Sequence, residues 1–236
     1  MIEELFREDA YLQSCAGKIT AVTERGGLVL DRTVFYPTAG GQPGDTGALK
    51  LADGREIKIA TTVYDTDKLT IVHVPAEGQA LPAIGEQAEA AIDWPRRFNM
   101  MRAHTGLHLL CSLVKFPVTG GQIGEGEGRL DFDIPEANLD KDALTAQLNA
   151  LIAANHPVSH RWISDEEMAA RPELIRTMSV KPPTGRGRVR LVAIGDVDLQ
   201  PCGGTHVRAT GEIGKATVTK IEKKGAINRR IRVVFE

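Results

Sequence analysis

The sequence predicts an α+β fold in two parts, a small β-barrel domain over residues 1–93 and a mixed α+β domain over residues 94–236. Three observations carry this. Residues 17–92 are built of short alternating segments punctuated by Gly, Pro and Asp turns, the pattern of a small barrel. Residues 99–114 carry apolar side chains at helical intervals without a proline. Beyond them, alternating strand segments flank a second helical stripe.

In the first part the strand segments are residues 18–23, 27–30, 57–59 and 69–74. Residues 36–47 are too rich in glycine and proline for regular structure, and without a following Gly-Lys-Ser/Thr they are no phosphate-binding P-loop. They form either a plain long connection or a loop whose glycines admit close backbone approach. In the second part, Met100, Met101, Leu107, Leu110, Cys111 and Val114 mark the first helix. A glycine-rich stretch, 116–128, precedes an alternating strand at 129–134. Ala143, Leu144, Leu148, Leu151 and Ile152 form a helical core stripe after the capping candidate Asn138. Ser164 to Glu167 has the capping-box pattern and opens a short helix that Pro172 curtails. Residues 189–194 read as a buried strand, 195–201 as a turn or loop, and the C-terminus as a hairpin.

Composition narrows the class. At 236 residues, with 42% apolar and 25% charged residues, the chain has material for proper cores and none of the bias of a disordered protein. No apolar run is long enough to span a bilayer, and the acidic N-terminus is unlike a secretory signal, so the cytosol is the expected compartment. Three scattered cysteines, Cys15, Cys111 and Cys202, argue against a disulfide framework or a disulfide-linked partner and suit a metal-bound thiolate.

Two short motifs carry chemistry, His104-Thr-Gly-Leu-His108 and Cys202-Gly-Gly-Thr-His206. An i,i+4 histidine pair lies about 6 Å apart along a helix, so both imidazoles can meet one ion. Taken alone, such a pair is more often a helix surface pair or two satisfied core histidines. In the second motif Gly203 and Gly204 let the backbone fold tightly enough for thiolate and imidazole to converge, although a buried cysteine beside a capping histidine has the same sequence. Together the motifs predict one site, and a thiolate with three imidazoles suits zinc rather than magnesium or calcium. A peptidase of the H-E-x-x-H type is excluded, because Thr105 stands where its general base would be. The acids at 165–167 serve the helix dipole, and His73, His156 and His160 fit ordinary structural or surface roles.

Residues 35–47, 104–110 and 194–214, in that order and spacing, closely resemble the editing region of alanyl-tRNA synthetase. With no class II aminoacylation domain ahead of them, the chain is identified as a member of the freestanding alanyl-tRNA editing proteins, the AlaX family, in the longer class that carries the N-terminal glycine-rich motif. The resemblance implies a barrel like a translation-factor domain followed by an editing domain of the threonyl/alanyl-tRNA synthetase type. It implies ATP-independent hydrolysis, in trans, of the ester in tRNA(Ala) mischarged with serine, or in some members glycine. The zinc ligands are then His104, His108, Cys202 and His206, and the partner is the acceptor end of tRNA(Ala). By the same resemblance the glycine-rich loop acts in editing, with Gln42 and Asp45 as its polar contributors. The 116–128 stretch matches the family's amino-acid pocket, where Thr119 or Gln122 would bond a seryl hydroxyl. Its spacing from His108 departs from the synthetase pattern, and a plain glycine-rich turn is the alternative.

With 29 basic against 31 acidic residues, the chain is not a globally basic nucleic-acid binder. Locally, however, Lys181, Arg186, Arg188 and Arg190 precede the Cys202 motif, while Lys215, Lys220, Lys223, Lys224, Arg229, Arg230 and Arg232 crowd the C-terminal hairpin with only Glu222 among them. Such runs suit either a solvated face or held phosphates. An aminoacyl ester needs chiefly a positioned water and a stabilised oxyanion, and zinc can serve both needs. Four protein ligands, however, usually mark a closed structural site. The competing readings are therefore an RNA-binding module with a structural zinc and a deacylase for alanine on proline tRNA; the Cys202 motif disfavours the latter.

Overall fold

The computed structural model describes residues 2–134, 139–178, 187–225 and 227–236. Asn138, Lys181 and Arg186 lie outside them. The chain divides into two compact units, Met1–Phe98 and Asn99–Glu236.

The first unit contains β1 (Glu3–Glu4), β2 (Ser14–Val22), β3 (Leu28–Leu30), β4 (Arg32–Thr33), β5 (Gly47–Leu51), β6 (Glu56–Tyr64), β7 (Ile71–Pro75) and β8 (Gln87–Ile92). Six of these close a barrel in the order β2-β3-β7-β6-β5-β8. Alternation decides which side chains face inward: Leu49 and Leu51, Ile57 and Ile59, and Ala88, Ala90 and Ile92 are buried while their neighbours face water. With Ile19, Leu28, Leu30, Val34 and Phe35 they form one apolar core. β5 and β8 give a weaker sequence signal than the other barrel strands, since β8 fills the interior with alanines.

The loop over residues 36–47 is irregular, as its composition predicts, yet firmly held. Asp45 accepts the Tyr36 amide at 2.6 Å and a bidentate ion pair from Arg97, both fully within the fold. Arg97 also donates to the carbonyls of Ala10 and Val34 at 3.0 and 2.7 Å. At Gly44 a Cβ would lie 1.9 Å from the Thr62 carbonyl oxygen, so only glycine lets the loop pass this close to β6.

Helix α1 (Trp94–Leu113) starts five residues before the predicted stretch. The Asp93 side chain accepts the Arg96 amide at 3.2 Å, and Pro95 sits in the first turn, where a missing N–H costs nothing. In the second unit it is followed by β9 (Val118–Ile123), β10 (Glu127–Asp133), α2 (Lys141–Ala153), β11 (Val158–Ser164), α3 (Asp165–Ala169), β12 (Arg188–Ile194), β13 (Asp198–Pro201), β14 (Ala216–Lys224) and β15 (Asn228–Phe235). An antiparallel sheet has the order β14-β15-β10-β9, and a second has the order β11-β12-β13.

One face of the four-stranded sheet is apolar, carrying Ile123, Leu130, Phe132, Val218, Ile231, Val233 and Phe235. α1 packs here through Gly106, where a Cβ would meet the Phe235 ring at 2.2 Å, and through Leu107 against Gly128. α2 is fastened to the edge strand by paired bonds between the Asn149 amide and the backbone of Ala216. Asp140 caps α2 through the amides of Asp142 and Ala143. Ser164 and Glu167 form the predicted capping box, and α3 contributes Met168 to a cluster with Ile163, Val189 and Leu191.

Two expectations are corrected here. Residues 195–201 are not simply a loop: Asp198–Pro201 is a strand that returns along β12 after a turn at Gly195, whose φ is +49°. Within the glycine-rich 116–128 stretch, residues 118–123 form β9, whose glycines lie in regular pairing with β10.

Candidate metal centre

Two elements of the second unit build a cluster of donors. His104 and His108, one turn apart on α1, direct their rings to the same side, with centroids 5.2 Å apart. Gly106, on the opposite side of the helix, is where α1 sits directly on Phe235. Cys202 and His206 follow β13, and Arg190 of β12 fixes that segment. Its carbonyl accepts the Cys202 amide at 3.0 Å, and its Nη1 donates to the carbonyls of Cys202 and Gly204 at 3.1 and 3.0 Å.

One ligand atom from each of His104, His108, Cys202 and His206 lies within 4.8 Å of the others. Cys202 Sγ is 3.5 Å from His104 Nε2 and 3.3 Å from His206 Nε2. The His206 ring lies 4.3 Å from His104, tilted, and 4.6 Å from His108, edge-on, centroid to centroid. Three imidazoles and a thiol packed so closely form a set that could hold a metal ion.

The electrostatics favour a thiolate. Burial alone would raise the Cys202 pKa, but the charge of His104 and hydrogen bonds from His104 and His108 hold it well below an ordinary thiol. Burial likewise opposes charge on His108, yet its bonds to Asp198 and Cys202 push its pKa up to about 10. For His206, burial and the neighbouring His104 charge keep the ring well below the usual histidine range. Nearby Cys111 is buried and pushed up to about 12, so it remains a neutral thiol.

The far side of each ring is also organised. His108 Nδ1 lies 3.0 Å from Asp198 Oδ2, which also accepts the Gln200 amide at 2.8 Å. Gln200 Nε2 is 3.0 Å from His108 Nδ1 as well, but both groups are donors when the ring bonds the carboxylate, so Asp198 is their shared acceptor. His206 Nδ1 lies 3.1 Å from Thr105 Oγ1. Sequence reasoning missed Asp198, Gln200 and Arg190 as supports; the one available signal was the alternation of polar residues at 198 and 200 immediately before the Cys202 motif.

The remaining expected site residues are placed as follows. Thr119, on β9, donates to Asn228 Oδ1 or the Asp131 carbonyl, at 3.1 and 3.2 Å. Gln122, exposed on the same strand, accepts from Arg129 at 3.2 Å. Gln42 is fully buried in the loop of the first unit, where its backbone pairs with Ala39. Asp45 is bound to Arg97, so it serves as a structural anchor of that loop.

Comparison with known proteins gives a consistent result. Residues 189–232 match the family described as the threonyl and alanyl tRNA synthetase second additional domain, and residues 6–96 match class II (A) tRNA synthetases. An alanyl-tRNA editing protein AlaX-M of Methanosarcina acetivorans is 34% identical over 98% of both chains. An alanyl-tRNA editing protein AlaX-L of Pyrococcus horikoshii is 35% identical over 95% of this chain and 55% of its own length. An alanine–tRNA ligase of Pyrobaculum arsenaticum is 35% identical over 93% of this chain but only 25% of its own. End-to-end similarity to the AlaX-M relative, joined to the second-additional-domain match over the Cys202 motif, shows that this chain belongs to the alanyl-tRNA editing protein family.

Proposed function

We propose that the protein is a zinc-dependent aminoacyl-tRNA deacylase that clears serine, with glycine as a secondary substrate, from mischarged tRNA(Ala) in trans. The observation that carries this is the convergence of His104, His108, Cys202 and His206 in a chain matching editing proteins along its length. Zinc fits the donor set. Tetrahedral bonds of about 2.3 Å to sulfur and about 2.1 Å to nitrogen put those donors about 3.6 Å apart, close to the 3.5 and 3.3 Å seen between Cys202 and two imidazoles. When bound, zinc supplies a Lewis acid that orients and polarises an ester carbonyl.

The chain's own residues have the following proposed roles. Residues 94–236 form the editing domain, and residues 1–93 a translation-factor-like barrel whose glycine-rich loop, with Gln42 buried inside it, serves editing. Thr119, whose hydrogen is directed to Asn228 or Asp131, would meet a seryl hydroxyl as acceptor, with Gln122 on the same strand. Phosphates of the acceptor stem are met on the polar face of the four-stranded sheet. There Lys220, Arg232 and Arg129 stand side by side in one cross-strand row. Among the described residues no helix is long and apolar enough to cross a membrane. The proposed setting is the cytosol, where the free cysteines stay reduced.

The number of protein ligands favours a second reading, a non-catalytic RNA-binding module with structural zinc, because a four-ligand shell is typical of closed sites. Hydrolysis of Ser-, Gly- and Ala-tRNA(Ala) by metal-assayed protein, alongside a chelated sample, separates the two. Loss of the mischarged species with Ala-tRNA(Ala) spared is expected. A folded, zinc-loaded protein without turnover would leave the RNA-binding reading in place.

A further inference from the structure

Thr105 lies between the two helical histidines, is wholly buried, and is outside the donor set. Its hydroxyl oxygen is 2.9 Å from the Met101 carbonyl, 3.1 Å from His206 Nδ1 and 3.2 Å from the Val207 amide nitrogen. A hydroxyl has a single hydrogen. The Met101 carbonyl can only accept, and the Val207 amide can only donate. With the hydrogen directed to Met101, the oxygen accepts from Val207 and must also accept from His206. That requires the proton of the neutral His206 ring to be on Nδ1, leaving the Nε2 lone pair facing Cys202 Sγ 3.3 Å away.

We infer that Thr105 is a positioning residue that sets the tautomer and ring orientation of His206, so that Nε2 is presented to a metal ion. The role rests on the cluster being a metal site. It also accounts for a threonine at this position, because serine alone shares a β-hydroxyl able to bond back to the i−4 carbonyl while accepting from across the helix. His108 is held by a carboxylate and His206 by an alcohol, so the two imidazoles are oriented by different chemistry, one charge-assisted and the other neutral.

The test compares wild type, Thr105→Val and Thr105→Ser by zinc affinity in competition with a chelator of known strength. Alongside this, long-range proton–nitrogen NMR of the histidine rings is recorded in the zinc-loaded wild type. Thr105→Val, which keeps the shape and loses the hydroxyl, is expected to weaken zinc binding by roughly 10–100-fold, the usual effect of losing such an outer support. Thr105→Ser should restore most of it, and His206 should carry its proton on Nδ1. Wild-type affinity in Thr105→Val, a serine variant no better than valine, or a His206 without a proton on Nδ1 would overturn the assignment. If Thr105→Val does not fold, the serine variant and the wild-type spectrum still decide. A wild type that binds no zinc would instead sink the metal reading itself.

Discussion

Asp198 and His108, ninety residues apart, meet through a 3.0 Å bond between Oδ2 and Nδ1, with both side chains almost wholly removed from water. The carboxylate turns the ring so that its other nitrogen faces the donor cluster, and Gln200 steadies the carboxylate in turn. Asp198→Asn keeps the shape but loses the charge assistance, and its amide would compete with Gln200 as a second donor. Zinc affinity should fall by roughly 10–100-fold, as for other outer-shell supports. A chelator-competition titration reads this directly, and undiminished affinity would show that the pair does not orient a ligand.

Why this pair escaped sequence reading is instructive. β13 buries Asp198 and Gln200 rather than apolar residues, so hydrophobic alternation, the usual strand signal, is missing where the strand serves the site. β9 is hidden for another reason, since Gly120 and Gly121 lack the side chains by which a strand is recognised. By contrast, the barrel strands around Ile57 and Ile59 were legible from alternation. So was the helix carrying His104 and His108, whose apolar residues keep a helical period. The four donors could be named from spacing, but their supports could not, because Thr105, Asp198 and Arg190 act through contacts that have no fixed separation in sequence.

Gly106→Ala sets helix propensity against packing. Alanine should favour α1 by about 1 kcal/mol, but its Cβ would lie 2.2 and 2.5 Å from two atoms of the buried Phe235 ring. Overpacking of this kind costs about 1–3 kcal/mol, so the variant should be less stable in urea unfolding. Adding Phe235→Leu should recover part of the loss, and strictly additive effects would show that the contact is not the cause.

Arg97→Lys should damage the barrel's glycine-rich loop. The guanidinium satisfies Asp45 and the carbonyls of Ala10 and Val34 at once, which an ammonium group cannot reproduce. The loss should stay below the roughly 3–5 kcal/mol of removing one partner outright, because lysine keeps the charge and forfeits only the additional bonds. Amide hydrogen exchange should quicken over residues 36–47, and unchanged protection there would refute the anchoring role.

His73 gives the barrel a pH dependence. Its Nδ1 donates to the Leu28 carbonyl and its Nε2 accepts from the Thr33 hydroxyl, so both nitrogens are satisfied in the neutral ring. Burial holds its pKa down to about 4. The unfolded chain, with a histidine pKa near 6.5, then binds more protons than the fold between pH 6.5 and 4, and stability rises with pH across that window. The stabilisation is fully present above about pH 6.5 and declines on acidification, by up to about 3 kcal/mol in all. NMR titration of His73 checks the pKa, while His73→Gln should flatten the slope of unfolding free energy between pH 7 and 5. A variant that loses stability in parallel with wild type would assign the slope to other groups.

The polar face of the four-stranded sheet should be where RNA charge is felt. Glu222 bonds Arg232 at 2.9 Å and Lys220 at 3.0 Å, while Asp131 bonds Arg230 and Arg129 at 2.7 Å each. Each acid therefore lies between two cations, holding them on the face while leaving a net positive charge. Arg232, with 44% of its side chain exposed, can be changed to Gln at little cost in stability, because Glu222 keeps Lys220 as a partner. If Arg232 contacts a phosphate, the variant should raise KM for mischarged tRNA at unchanged kcat. The slope of log affinity against log salt should also shrink by roughly 0.7–0.9, the release of one counterion. An unaltered slope with unaltered KM would mean that the acceptor stem lies elsewhere, and that this row of cations is only a solvated face.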